Sequence, residues 1–147
     1  MAIAPGGGAV EFLTMDSCVR LLEQESLGRL AFAIGGQPEI FPVNYTMDGD
    51  VILLRTAPGT KLRHAPHRRV AFEVDGIDRV EGVAWSVVAK GLLEDISTRQ
   101  DPFSIARREV RVYPLAPGER KYSLAIYPTE ITGRRFPIGP IGSGQGR

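Results

Sequence analysis

One stretch of eight residues contains the residue types of an anion-binding site. Arg55 and Thr56 end an apolar strand, a glycine-containing turn follows, and Thr60 and Lys61 open a helical turn that leads to Leu62. Free backbone N–H groups at the start of a helix bind phosphate well when a guanidinium and an ammonium lie nearby. The segment therefore predicts a site for a phosphate-bearing ligand, although its spacing is not that of a Walker-type loop. The alternative interpretation is a solvated turn with two incidental cations.

The alternation of side chains along a strand separates the first two of these residues. Arg55 and Thr56 must point to opposite faces of the strand. They therefore contact different parts of a ligand, or one of them has a structural role. The sequence leaves both possibilities open.

Two further segments have groups suited to a flat ring. Pro42, Val43 and Asn44 lie on the preceding strand, where proline removes one ladder donor and leaves neighbouring main-chain groups free to face a ligand. Trp85 and Ser86 lie on the fifth predicted strand, and a tryptophan there packs in the core, stacks on a ring or anchors a dimer interface. A plain edge strand and a core tryptophan are the alternative interpretations of the two segments.

The remaining reactive side chains do not form a catalytic or metal-binding set. Cys18, the only cysteine, falls on the apolar face of the first predicted helix, where a buried and unreactive thiol is expected. His64 and His67 have no accompanying cluster of carboxylates or cysteines, so no metal site is predicted. The sequence also lacks a Ser-His-Asp signature and a GxSxG elbow. The arginine clusters at residues 107–111 and 134–135 are interpreted as solvated faces, or as groups that reach a cofactor's phosphate from a partner subunit.

Periodicity predicts a mainly β chain with a few short helices. Thr14 is placed to cap a helix, Cys18, Leu21 and Leu22 share one face of that helix, and Gly28 is expected to end it. The predicted strands span residues 30–34, 39–47, 51–56, 69–75, 83–95 and 122–136, and two further helices are expected from Thr60 towards Pro66 and over residues 97–110.

Turn residues connect several of these strands directly. Gly35-Gly36 and Asp48-Gly49 are hairpin signals, and the strands do not alternate with helices as they would in a parallel sheet. Pro42 implies an edge position or a bulge in its strand. An antiparallel barrel or sandwich is therefore favoured, and a barrel also removes exposed sheet edges.

Composition and charge are those of one ordinary globular domain spanning residues 1–147. The chain is 43% hydrophobic and 24% charged, and its length suffices to bury a core without disulfides. The net charge of +1 gives no basic field that would favour nucleic acid or an anionic membrane as a partner. With one cysteine, no signal peptide and no apolar stretch of membrane-spanning length, a cytoplasmic protein is expected. Residues 1–10 and 138–147, rich in glycine and proline, are expected to be flexible.

Taken in chain order, several segments resemble the flavin-binding split-barrel family of pyridoxamine 5′-phosphate oxidase-like proteins. The resemblance covers about residues 16–94, more than half of the chain. It rests on the joint order and spacing of Gly28-Arg-Leu-Ala-Phe32, Pro42-Val-Asn-Tyr45, Asp48-Gly-Asp50, Leu54-Arg-Thr56, Gly59-Thr-Lys-Leu62, Phe72-Glu-Val-Asp75 and Gly82-Val-Ala-Trp-Ser-Val-Val88, which leads to Gly91. The resemblance implies a six-stranded antiparallel split β-barrel that forms a homodimer, with two cofactor sites at the subunit interface.

The same resemblance assigns the site residues by position. The phosphate and ribityl chain of FMN would be held by Arg55, Thr56, Thr60 and Lys61. The isoalloxazine ring would be lined, mostly through main chain, by Pro42, Val43 and Asn44. Further contacts would come from Trp85 and Ser86, on the strand that helps to form the interface, and from the apolar side chain of Leu62.

The chain departs from the oxidase at its C-terminal end. The oxidase has a substrate signature containing tryptophan, arginine and histidine, whereas residues 126–136 of this chain contain neither tryptophan nor histidine. Oxidation of pyridoxamine phosphate itself is therefore not expected. The resemblance favours an FMN-dependent oxidoreductase acting on a small molecule. The alternatives are a deazaflavin-dependent reductase on the same fold and a non-catalytic protein that stores, carries or senses a flavin.

Overall fold

The hairpin signals of the sequence fold into one antiparallel sheet. In the computed structural model, residues 9–56, 62, 67–112 and 122–139 are described. The elements are β1 (Glu11–Phe12), α1 (Met15–Gln24), β2 (Leu27–Ile34), β3 (Gln37–Asp48), β4 (Val51–Thr56), β5 (Arg68–Asp78), β6 (Val83–Asp95), α2 (Pro102–Arg108) and β7 (Tyr122–Pro137). The prediction of a mainly β, antiparallel chain with short helices is confirmed.

The sheet closes on itself. Its strand order is β1-β7-β4-β3-β2-β5-β6, and β6 pairs again with β7. The described residues form seven strands rather than the six predicted. The additional strand, β1, is only two residues long and pairs Glu11 with Arg135 and Phe12 with Arg134, so it is too short to give an alternation signal in the sequence.

The ring of strands opens between β3 and β4. These strands pair only from Tyr45–Leu54 to Asp48–Val51, and Arg55 and Thr56 pair with β7 instead. Among the described residues, the first eight residues of β3 therefore have a partner on one side only, in β2. This part of β3 contains Pro42, which is tolerated there because no second ladder requires its missing donor.

Two apolar clusters fill the interior. Inside the ring, Tyr45 meets Phe72 edge to face with ring centroids 4.9 Å apart, and α1 closes one end with three buried side chains, those of Cys18, Leu21 and Leu22. A second cluster lies on the outside of β4 and β7 and consists of Val51, Leu53, Ile96 and Ala125. The prediction that Cys18 is buried is confirmed, and burial raises the pKa of its thiol.

The two helices differ from the sequence prediction in where they begin or end. Thr14 caps α1 by accepting from the Ser17 N–H at 3.2 Å, as predicted, but α1 ends at Gln24 and Gly28 lies inside β2. Gly28 is required there for a different reason: an added Cβ would lie 2.8 Å from the Phe72 ring atom Cε1. The second helix is Pro102–Arg108 rather than residues 97–110, because Asp101 caps the Ser104 N–H at 3.0 Å and proline then occupies the first helical turn.

Tyr45 joins α1 to the sheet, and its hydroxyl group is expected to stabilise the fold measurably. Its side chain is buried, and the hydroxyl donates to the Leu22 carbonyl at 2.5 Å. Replacing Tyr45 by phenylalanine leaves that carbonyl with only the longer contact from the Glu25 N–H, at 3.4 Å, which should lower the free energy of unfolding by about 1–2 kcal/mol in urea denaturation. Tyr127→Phe is the matched control, because its hydroxyl is 3.3 Å from Arg107 Nη1 in a half-exposed position. An equal loss in both variants would contradict this role for Tyr45.

Several predicted features lie outside the described residues. They are the turn at residues 57–59, the helix expected from Thr60 towards Pro66, the predicted site residues Thr60 and Lys61, His64, and most of both termini. Within the part of the chain that is described, the longest helix has ten residues, and none is long and apolar enough to cross a lipid bilayer.

Candidate functional site

Arg55 is directed at the C-terminal end of α2. Its Nη2 donates to the carbonyl oxygens of Arg107, Arg108 and Val110 at 3.1, 3.0 and 2.6 Å, and its Nη1 donates to the Leu54 carbonyl at 3.2 Å. The last carbonyls of a helix have no partner within the helix, so one guanidinium here satisfies several of them. Burial lowers the pKa of Arg55, and nearby Glu109 opposes this effect.

The other described members of the predicted phosphate segment, Thr56 and Leu62, face the interior of the barrel. Thr56 is 2% exposed at the end of β4, opposite Tyr122 of β7. Leu62 is 8% exposed and packs in the main core. Of the two possibilities that strand alternation left open, the structure gives Arg55 a structural role and keeps Thr56 buried.

Trp85 and Ser86 lie on opposite faces of β6. Trp85 is buried in the core against Gly76, where an added Cβ would lie 2.8 Å from the indole nitrogen. The core interpretation of this tryptophan is therefore the observed one. Ser86 is half-buried on the outside of the sheet, between Asp75 of β5 and Arg134 of β7.

The three predicted ring-lining residues of β3 have different surroundings. Pro42 is exposed and lies opposite Arg29 of β2. Val43 packs against the core. The Asn44 amide nitrogen Nδ2 donates to the Ser26 carbonyl at 3.1 Å, which ties β3 to the segment before β2. Pro42 and Asn44, two residues apart on β3, therefore have their side chains on the face of the sheet that also carries Ser86, and Val43 points inward.

That surface can be followed across the sheet from strand to strand. Directly paired residues of antiparallel strands have side chains on the same face, and two rows of pairs cross the sheet. One row is Pro42, Arg29, Glu73, Val88 and Thr132. The other is Asp75, Ser86, Arg134 and Phe12. We call the nine residues of these two rows the outer face.

A groove crosses the outer face where β6, β7 and β1 meet. Its volume is about 290 Å³, and it is lined by Phe12, Ser86, Val88, Thr132, Gly133 and Arg134. It has an apolar side in Phe12 and Val88 and a polar side in two hydroxyl groups and one guanidinium. Such a combination accommodates a ligand that has an apolar part and an anionic part.

The backbone under this groove is held from inside the barrel. The Leu13 N–H donates to the Gly133 carbonyl at 2.9 Å. A side chain at Gly133 would meet the Cys18 sulfur at 2.7 Å, so glycine lets α1 pack closely beneath β7. The groove is therefore carried by paired strands and a packed helix, which is the rigid support that a binding site needs.

A carboxylate pair lies next to the groove. Arg29 Nη1 is 3.2 Å from Glu73 Oε1 and 3.7 Å from Asp75 Oδ2. Burial, followed by hydrogen bonding and charge repulsion from Asp75, raises the pKa of Glu73 to about 7, although Arg29 opposes the shift. Near neutral pH this pair therefore holds a transferable proton on the outer face.

The Glu73 shift predicts a pH dependence of stability. Because the pKa of Glu73 is higher in the folded protein than its ordinary value of 4.5, folding favours the protonated form. The contribution of Glu73 to stability is full below about pH 4.5 and is lost as the pH rises through about 7. Denaturation at pH 5 and pH 8 should show that the stability of the wild type relative to Glu73→Gln falls between these values. Glu23→Gln, an exposed residue of α1, is the matched control, and an unchanged difference for Glu73→Gln would contradict the assignment.

The sequence analysis did not identify this carboxylate pair as functional. Glu73 and Asp75 are two residues apart on a predicted strand, which places both side chains on one face. That spacing was a usable signal. The opposing Arg29 and the half-burial of Glu73 depend on the pairing of β2 with β5, which is a property of the tertiary structure.

Comparison with known proteins is consistent with this fold. The family model described as pyridoxamine 5′-phosphate oxidase matches residues 14–135. An uncharacterized protein of Mycobacterium tuberculosis is 31% identical over 130 residues, which is 84% of each chain.

Solved structures extend the similarity. An FAD-binding protein from Mycobacterium smegmatis is 31% identical, with a TM-score of 0.73, covering 86% of this chain and 98% of that one. A provisionally named pyridoxamine 5′-phosphate oxidase from Corynebacterium glutamicum is 33% identical, with a TM-score of 0.76, covering 89% of this chain and 96% of that one. The chain therefore belongs to the pyridoxamine 5′-phosphate oxidase-like family.

Proposed function

We propose that this protein binds a flavin at the outer face and uses it for redox chemistry on a small molecule. The observation that carries the proposal is the groove beside Ser86, where two hydroxyl groups and a guanidinium without a partner among the described residues lie next to apolar side chains. The similar protein from Mycobacterium smegmatis is an FAD-binding protein, which supports a flavin as the ligand. A bound flavin would supply hydride or single-electron transfer, and the protein would supply binding and orientation.

The residues of the outer face fit the two chemical parts of a flavin. Ser86, Thr132 and Arg134 offer hydrogen-bond donors suited to a phosphate. Phe12, whose side chain is 76% exposed, and Val88 offer apolar surface to a ring or to a ribityl chain. The nearby Glu73 holds a proton that a reaction at the flavin or at a bound substrate can use, since its pKa lies at about 7.

We further propose that the site is completed by a second copy of the chain. The groove of about 290 Å³ is slightly smaller than the range for small-ligand sites, which is roughly 300–1,000 Å³, so one subunit covers only part of a flavin. Ile77 and Phe12, on the same side of the sheet, are 54% and 76% exposed, and a twofold partner would cover such apolar surface. A homodimer with cofactor sites at its interface accounts for both observations.

Which flavin the protein binds, FMN, FAD or a deazaflavin, is a separate question within the proposal. The sequence predicts FMN, the similar Mycobacterium smegmatis protein favours FAD, and a deazaflavin is a third possibility on this fold. All three have an anionic group that an arginine can bind. They differ in the size and charge of the part beyond the ribityl chain, so direct comparison of the three cofactors decides between them.

The first experiment is an absorbance and fluorescence spectrum of the purified protein, taken before and after addition of FMN, FAD or a deazaflavin. We expect a flavin band, or saturable quenching of added flavin, at one flavin per subunit. If the purified protein contained no bound chromophore and took up none of the three cofactors, the flavin proposal would be overturned. Sustained oxidation of a nicotinamide donor by the loaded protein would support an oxidoreductase, and binding without turnover would support a carrier instead.

A further inference from the structure

We propose that Arg134, rather than Arg55, supplies the guanidinium that binds the cofactor's phosphate. The inference rests on the proposed flavin-binding function. It reassigns one of the phosphate contacts that the family resemblance placed on β4.

The Arg55 guanidinium already forms hydrogen bonds within the fold. It donates to three carbonyls at the end of α2 at distances of 2.6 to 3.1 Å. Rotating it towards a phosphate would remove all three contacts; the Arg107 carbonyl would keep the Val110 N–H at 3.2 Å, but the Arg108 and Val110 carbonyls would lose the guanidinium that they accept from. A phosphate contact from Arg55 would therefore have to offset the loss of its contacts to α2.

Arg134 is in the opposite situation. Its side chain is exposed on the outer face, and within the described residues it forms no ion pair or hydrogen bond. Other arginines of the described chain do have carboxylate partners: Arg29 with Glu73 at 3.2 Å, Arg107 with Asp48 at 2.8 Å and Arg135 with Glu11 at 3.8 Å. An uncommitted guanidinium in a groove is available to an anionic ligand without the loss of an existing contact.

The surroundings of Arg134 are those of a phosphate site. Strand pairing places Ser86 directly opposite Arg134 on β6 and Phe12 opposite it on β1, and Thr132 precedes it on the same face of β7. The groove thus combines a planar five-donor group with two hydroxyl groups, which is a donor set suited to phosphate oxygens. Of the described residues, none that lines the groove is a carboxylate, so no lining side chain competes for the guanidinium.

The test compares flavins that differ only in their phosphate content. Titrations of the wild type with riboflavin, FMN and FAD, followed by flavin fluorescence, give the ratio of the riboflavin Kd to the FMN Kd. We expect Arg134→Ala to reduce this ratio at least tenfold and to change the riboflavin Kd by less than twofold. Arg134→Lys should retain part of the ratio because it keeps the charge. Arg135→Ala, at the adjacent position of β7, is the matched control and should leave the ratio unchanged.

Two results would overturn the proposal. In one, Arg134→Ala keeps the wild-type ratio, so that the phosphate is bound elsewhere. In the other, it weakens riboflavin and FMN equally, so that Arg134 contacts the ring or supports the fold.

A second probe separates this proposal from the flavin function. Inorganic pyrophosphate is added to the ¹⁵N-labelled protein, and amide shifts at Gly133 and Arg134 are recorded for the wild type and for Arg134→Ala. If no flavin binds, saturable shifts that the variant abolishes still support an anion site at Arg134 while the flavin function fails. Absence of shifts in the wild type, together with absence of a phosphate effect on flavin binding, would overturn the anion site as well.

Discussion

Replacing Gly91 by alanine is expected to lower the free energy of unfolding by about 4 kcal/mol. Gly91 lies at the register shift between β6 and β7, where it pairs with Pro128 although Lys90 pairs with Glu130. An added Cβ would overlap the Tyr127 carbonyl oxygen and would lie 2.7 Å from the Pro128 Cα. Because both atoms belong to the backbone, no side chain can rotate away, and the strands themselves must separate.

The neighbouring strand pairs explain why separating β6 from β7 destabilises the fold. Close to the shift, Ile126 of β7 pairs with Leu93 on one side and with Ile52 of β4 on the other. Moving β7 away from Gly91 therefore disturbs two ladders at once. Urea denaturation of Gly91→Ala measures the effect. Gly139→Ala is the matched control, since nothing lies within 4 Å of a Cβ at Gly139. A loss below 1 kcal/mol for Gly91→Ala would contradict the tight approach of the two strands.

Arg55→Ala is expected to destabilise the protein by about 3 kcal/mol. Hydrogen bonds to charged groups are worth about 1.5–3 kcal/mol each, and they are not additive when they share one donor group. The variant loses the donor that holds the carbonyls of residues 107, 108 and 110 to β4. Denaturation should show the loss of stability, and amide hydrogen exchange should show faster opening of α2 than of β6.

Two comparisons make the Arg55 prediction specific. Arg55→Lys should recover little stability, because the guanidinium binds the three α2 carbonyls through Nη2 and the Leu54 carbonyl through Nη1, and one ammonium nitrogen cannot occupy both positions. Arg134→Ala should change stability by less than about 0.5 kcal/mol, since it removes an exposed side chain without a partner among the described residues. If Arg55→Ala were as stable as Arg134→Ala, the contacts to α2 would not contribute to the fold.

Local patterns in the sequence were sufficient for most of the secondary structure. The Gly35-Gly36 pair forms the predicted turn, with φ of 56° and 79°. The second hairpin is also present, but it turns at Gly49-Asp50, one residue later than the predicted Asp48-Gly49, with φ of 61° at Gly49. The helix cap at Thr14 and the buried face with Cys18 also follow from local spacing. Gly28 was interpreted wrongly, because its need for glycine arises from the Phe72 ring on another strand. A local pattern cannot reveal such a contact.

The candidate site could be predicted from the sequence less completely than the secondary structure. Alternation separated Arg55 from Thr56, but it could not tell which face of the strand is inside. That choice depends on which strands pair and on where α2 packs. The outer face therefore became visible only when the registers of β2, β5, β6 and β7 were known. The rest of the predicted phosphate segment, Thr60 and Lys61, stays a prediction.

The most direct test of the account is a titration of the ¹⁵N-labelled protein with FMN and FAD, followed by amide chemical shifts. We predict saturation at one flavin per subunit, with the largest shifts at the residues that line the groove, Ser86, Val88, Gly133 and Arg134. Unchanged spectra with both flavins would contradict flavin binding. Saturable shifts confined to another surface, such as the groove at Met15, Val19 and Arg20, would contradict the assignment of the outer face as the site.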